Sequence, residues 1–296
     1  MSIQTATTGQ LENAQRILIA NTLYAEEHMR PTTHLLAQFT LAQGEKTMTV
    51  PKVARMTGVR LADGVDLVNS EDIGMTTTDI SPVEAGLKVI ITDKLARQEN
   101  ESVFGMVGQQ MGQAMGRLME RDAIALFTGL NGGTALGATT EPFNITNLSG
   151  CIAVARANRY GSKLVIVHHP NAIYDVVAAA LVAAAPSWSG GPVGGFSEAL
   201  LKDFFSFSIS GVPVFQTGEI DAGAGGVAGD GIGAIFDPTA ALGMLTSKGL
   251  STAQQRDESL RATEQIVVAD YQAFELDDAR GAPLLYDITA VSTTAG

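Results

Sequence analysis

Residues 93–127, DKLARQENESVFGMVGQQMGQAMGRLMERDAIALF, decide how this chain is read. As one helix they span roughly 50 Å at 1.5 Å per residue. At about 100° per residue, Phe104, Met111, Met115 and Leu118 share a ridge, opposite Gln110, Gln113, Arg117 and Glu120. Beside that ridge Gly105, Gly108, Gly112 and Gly116 fall in a sector about 80° wide. A glycine inside a helix costs about 0.8–1 kcal/mol relative to alanine. Four on one side therefore predict a surface where a backbone or bulky side chain lies directly against the helix; the other reading is an ordinary core helix that tolerates its glycines. Small-xxx-small spacing also occurs in membrane helices, but Gln109, Gln110, Gln113 and Arg117 interrupt the apolar run. The stretch is expected to be a soluble structural beam.

On its N-terminal side the pattern changes. Residues 44–91 are rich in Thr and Val, with glycine and aspartate as punctuation, and predict an extended β-hairpin with long arms. Its charges are segregated. Lys46, Lys52, Arg55 and Arg60 crowd the first arm with only Glu45 opposing them, and Asp63, Asp66, Glu71, Asp72, Asp79 and Glu84 follow. One reading is a solvated face; the other is an arm whose basic half meets acids on a neighbouring copy. Glu99, Glu101, Glu120 and Asp122 on the long helix are the candidate acids, and Gly108, Gly112 and Gly116 the candidate close-packing surface. GLKVIIT then runs as a strand into the helix. Further back, residues 1–15 are polar and small and are expected to form a flexible arm, with a short helix over 16–28.

Beyond the helix, 146–160 predict another helix with Asn147 and Ser149 as candidate caps. KLVIVH (163–168) reads as a buried strand, and Pro170 suits the first turn of a helix over 171–185. A loop at 186–195, a helix at 196–205 and a strand in GVPVFQTG follow. Residues 221–233 form a glycine loop, and AIFDPTAALGML reads as a strand with a break. TEQIVVADYQAFELDD alternates as a strand, with LLYDITAV expected to pair back on it.

The chain has 296 residues, 45% of them apolar, which excludes a disordered protein. Only 17% are charged, which hints at surface covered by other copies. Acids outnumber bases 31 to 19, a net charge of −12 that argues against sequence-specific DNA binding. A lone Cys151 cannot form an intrachain disulfide. Nothing at the N-terminus reads as a signal peptide, and no stretch approaches ~18 uninterrupted apolar residues.

No chemistry assembles from the motifs. Gly223, Gly225 and Ala228 loosely fit a dinucleotide fingerprint, but more glycines and a strand follow where a helix must open. His28, His34, His168 and His169 lack the convergence of a zinc site, and Asp277 and Asp278 belong to a turn. No catalytic, cofactor-binding or metal-binding residue is expected, and the chain is not expected to be an enzyme.

Taken in order, the hairpin at 44–91, the helix at 93–127, KLVIVHHPNAIYDV, and GVPVFQTGEI…AIFDPTAALGML…TEQIVVADYQAFELDD resemble the major capsid proteins of tailed phages. This is the Hong Kong 97-like fold, also seen in encapsulin shells. The resemblance implies an α+β chain with an N-terminal arm (1–43), an extended loop (44–92), a peripheral-domain spine helix (93–130), an axial α/β domain (131–247) and a return to the peripheral domain (248–296). It further implies a virion subunit forming pentamers and hexamers of an icosahedral shell around double-stranded DNA, assembled in the host cytoplasm without a membrane. No long charged leader resembles a fused scaffold, so a separate scaffolding protein and a portal are the expected partners. Some members of that family form isopeptide bonds between a loop lysine and a partner asparagine with a catalytic glutamate; that lysine is not assigned to Lys46 or Lys52, and no crosslink is expected from the resemblance. Two alternatives stand: an encapsulin-like compartment, and a cytosolic α/β enzyme with a site in the 221–233 loop.

Overall fold

A computed structural model describes residues 32–42, 44–52, 74–93, 101–176 and 207–289, with isolated positions 58, 60, 63 and 66. The expected arm and helix before residue 32, most of the hairpin tip, the loop at 186–195 and the helix at 196–205 lie outside the described residues.

The long helix, α1, covers Glu101–Ala125 and tightens into a 3₁₀ segment over Leu126–Gly133. Its buried positions are Gly108, Met111, Gly112, Met115, Gly116, Met119, Glu120 and Ala123, a repeat of three and four residues. The glycine stripe thus sits at the centre of the buried arc, flanked by methionines, and lies within the chain's own core. Leu118, assigned to the ridge from sequence, is 41% exposed, and Glu120, assigned to the polar side, is fully buried. The reason is steric. Glycine adds nothing to a hydrophobic pattern, yet it admits the closest approach, so the buried face turned toward the glycines by about a quarter of the circumference.

The methionines and Ala123 of α1 cluster with the apolar residues of a four-stranded sheet. β1 (Ala37–Thr40), β4 (Val83–Thr92), β10 (Leu242–Asp257) and β11 (Ala262–Glu275) lie in the order β1-β10-β11-β4. β1 runs parallel to β10 and the other pairs are antiparallel. Alternation places Ala85, Leu87 and Val89 opposite Ala269, Val267 and Gln265 on the side that packs with α1. Gly112→Leu is accordingly expected to overpack this layer, lowering stability by at least about 1–3 kcal/mol in urea titrations. Gly112→Ala, which also raises helix propensity, should cost markedly less.

The hairpin β2 (Met48–Lys52) and β3 (Thr76–Ile80) pairs Met48 with Ile80 and Lys52 with Thr76. Its root packs on one end of the four-stranded sheet, where Ile80 joins Leu245 and Phe274, and Met48, Val50 and Phe39 cover them.

A second sheet has the order β5-β12-β9-β6-β8-β7, from β5 (Leu136–Gly137), β6 (Val165–His168), β7 (Phe207–Ile209), β8 (Val212–Gln216), β9 (Asp230–Phe236) and β12 (Gly281–Asp287). α2 (Ile145–Ala157) packs on one face, and its N-cap is Asn144, which accepts from the Asn147 amide, rather than Asn147 or Ser149. The opposite face joins α1 and the four-stranded sheet in one apolar cluster containing Phe127, Val165, Val167, Ala234, Phe236, Met244 and Val267.

The chain order therefore differs from the expected division at 248. It enters the four-stranded sheet at Leu242, leaves it after Glu275 and joins the other sheet at Gly281. β12 does not pair back on β11; it inserts between β5 and β9 in the other sheet. Gly281–Leu284 are all buried, and such a continuous buried run suits a strand covered on both faces better than a half-exposed hairpin arm.

Candidate functional site

The sequence-predicted contact residues part into three groups. Lys46 and Arg60 are exposed, as is Asp122 on α1. Arg55 and Glu99 lie outside the described residues; Glu101 opens α1, but its side chain is not among those described. The remainder are committed inside the chain. Gly108, Gly112 and Gly116 are buried. Lys52 bonds Asp278 at 2.5 Å and Asp277 at 3.2 Å, and the bond to Asp278 raises its pKa despite partial burial.

Glu120 receives the chain where it arrives at α1. Its carboxylate accepts from the Thr32 amide at 3.0 and 3.1 Å, from the Thr33 amide at 3.2 Å and from the Thr33 hydroxyl at 3.4 Å. A fully buried carboxylate is tolerated because these donors replace water. It is not available to a neighbour.

Asp122 accepts a 2.6 Å bond from the Tyr271 hydroxyl, whose pKa is pushed up by burial and by that carboxylate. Val83, Leu118, Leu126 and Ala273 complete an open groove of about 350 Å³ beside it. Val83 is 60% exposed, so an apolar edge flanks the acid. Two further arginines on α1 were not singled out from sequence. Arg121 bonds Glu219 at 3.0 Å and approaches Asp221 at 3.8 Å, with Arg117 4.0 Å from Glu219. Their four-residue spacing put them on one helix side. Only the fold could show that the residues after β8 face them.

Of the residues weighed for catalysis, His28 lies outside the described residues, and the structure gives the surroundings of the glycine loop, His168 and Cys151. Gly223 is left-handed at φ 109°, Ala224–Gly226 make a 3₁₀ turn, and β9 then begins at Asp230. No helix opens there for a pyrophosphate, and the Asp230 carboxylate is used by the Thr140 amide. His168 is fully buried, stacked on Phe143 at 5.0 Å, with Tyr286 at 6.1 Å. Its Nδ1 accepts from the His169 amide. Cys151 lies 3.1 Å from the Tyr286 hydroxyl. Among the described residues no three His, Cys, Asp or Glu side chains group as metal ligands. No described helix is long and apolar enough to cross a membrane.

Burial pushes His168 down to about 3, so it stays neutral in the folded chain. The unfolded chain takes up a proton near 6.5 that the folded chain refuses. Its contribution is thus complete above pH 6.5 and is lost as pH falls toward 3, by at most about 1.4 kcal/mol per pH unit. His168→Phe should flatten the pH dependence of unfolding between pH 6 and 4 by close to one proton. An unchanged slope would place the acid sensitivity elsewhere.

With this geometry in hand, comparison with solved structures defines the class of fold. The chain superposes on the capsid of cyanophage P-SCSP1u with a TM-score of 0.60 at 16% identity, covering 86% of this chain and 87% of that one. It matches a virus-like particle from Pyrococcus furiosus (0.60, 11%, 90% and 97%). It also matches the SrpI encapsulin of Synechococcus elongatus (0.61, 14%, 90% and 92%). The chain has the α+β fold of these capsid and shell proteins, as the order of its segments indicated. No protein-family model matches the sequence, and no curated protein does.

Proposed function

We propose that this chain is the major capsid subunit of a tailed double-stranded DNA phage, a structural protein and not an enzyme. It self-assembles through pentamers and hexamers into an icosahedral shell, with a separate scaffold and portal and no sequence-specific contact to the enclosed genome. The observation that carries this reading is a capsid-type fold over nearly the whole chain, together with a hairpin whose exposed Lys46 and Arg60 oppose the net charge of −12. Lys46, Arg55 and Arg60 of one copy meeting acids of the next, among them Glu99, Glu101 and Asp122, is the contact we assign to assembly. Glu120 and the three glycines are left out because they are buried, and Lys52 because it is paired with Asp277 and Asp278; Asp122, though bonded to Tyr271, stays exposed.

An encapsulin-like compartment is the second reading, favoured by the equally good superposition on the SrpI encapsulin. Particles isolated from the native source separate the two. Nuclease-protected, genome-length DNA inside them supports the phage capsid; enclosed protein cargo without DNA supports the compartment.

A further inference from the structure

Along β2, Met48, Val50 and Lys52 alternate with the exposed Thr49 and Pro51, so one row faces the body of the protein. The first two pack into the apolar root; the third ends the row over Asp277 and Asp278. Lys52 pairs with Thr76 at the far end of the described part of β2. Its partners occupy the turn by which the chain crosses from β11 to β12, one of two direct strand-to-strand crossings between the sheets among the described residues. The other runs from β9 to β10, and the two are stitched together. The Leu276 and Asp277 amides donate to the Ala241 carbonyl, and the Asp237 amide donates to the Arg280 carbonyl. Arg280 holds Asp277 at 3.3 Å. Glu275 stands beside this cluster with its carboxyl pushed up by burial and then by Asp278, while the Lys52 bond pulls Asp278 down.

We propose that Lys52 is a latch between the hairpin and the paired inter-sheet crossings, so that the angle of the hairpin and the arrangement of the two sheets change together. The geometry is one-sided: a single hairpin cation reaches two carboxylates that belong to the crossing, not to the hairpin. A shift of the crossing carries the carboxylates away from Lys52 and frees the stem; a swing of the stem removes the cation that, with Arg280, offsets three acids. The inference does not depend on what the chain assembles into.

Hydrogen exchange on the full chain, held as dissociated subunits, tests it. Lys52→Gln and the double variant Asp277→Asn/Asp278→Asn should each speed exchange of amides 48–50, 52 and 76–80 by about three- to five-fold, the scale of a partly exposed ion pair. Combining them should add little, and Lys52→Glu with Asp278→Lys should restore slow exchange. The decisive amides are Asp237, Leu276 and Asp277 in the crossings, which should speed up together with the hairpin. Faster hairpin exchange with unchanged crossings, or no change in either, overturns the latch. If a variant fails to fold, the parent chain in about 0.5 M salt screens the same bridge, and the same paired response is required.

Discussion

Glu120→Ala is expected to destabilise the subunit by about 3–5 kcal/mol, a large part of the roughly 5–15 kcal/mol that holds a typical domain together. The substitution strands the Thr32 and Thr33 amides, both on residues only 1% exposed. Each buried donor left unpaired costs about 1–3 kcal/mol. Lost packing between α1 and the entering chain adds to it. Glu120→Gln retains one oxygen in the same shape but turns an NH₂ toward the donors, so about half the loss is expected. Urea unfolding of dissociated subunits gives both values. A change below about 0.5 kcal/mol for the alanine variant, within the range of ordinary surface substitutions, would mean that water replaces the carboxylate freely.

Arg55→Glu combined with Arg60→Glu is expected to abolish or strongly slow assembly while leaving the melting of the isolated subunit unchanged. Exposed pairs contribute only about 0–1 kcal/mol each. In a symmetric shell, however, every subunit repeats every contact, and reversal replaces attraction with repulsion. Light scattering after transfer to assembly conditions reads the rate. Normal particles from the double variant would reduce these charges to keeping a solvated arm soluble. A variant that melts early as a subunit would show that they hold their own domain. Lys52→Gln provides the contrast, because that lysine is bound to Asp277 and Asp278 of its own chain.

Much of this architecture was legible because it follows periods. The alternation in TEQIVVADYQAFE became β11 with its inward residues buried, and GLKVIIT became β4 leading toward α1. KLVIVH was read as a buried strand, and every residue of β6 is buried. Gly108, Gly112 and Gly116 are buried within the chain itself, which the hydrophobic pattern, blind to glycine, did not indicate. What escaped were features set by tertiary partners. Glu120 looks like any surface glutamate on a helix until two threonine amides 88 and 87 residues away are brought to it. Lys52 belonged to a basic run until the fold placed the 277–280 turn beneath it. The strand swap of β12 had a signal in the unbroken apolar run after Arg280, yet local turn chemistry at Asp277 reads the same whether the chain doubles back or crosses to another sheet.

The most direct test of the central claim is electron microscopy of the purified full-length chain, brought through assembly conditions with and without a scaffolding partner. The account predicts closed, hollow particles of uniform diameter with fivefold and sixfold clusters of subunits in their walls. Monodisperse monomers or small soluble oligomers under every condition, with no closed particle, would contradict it.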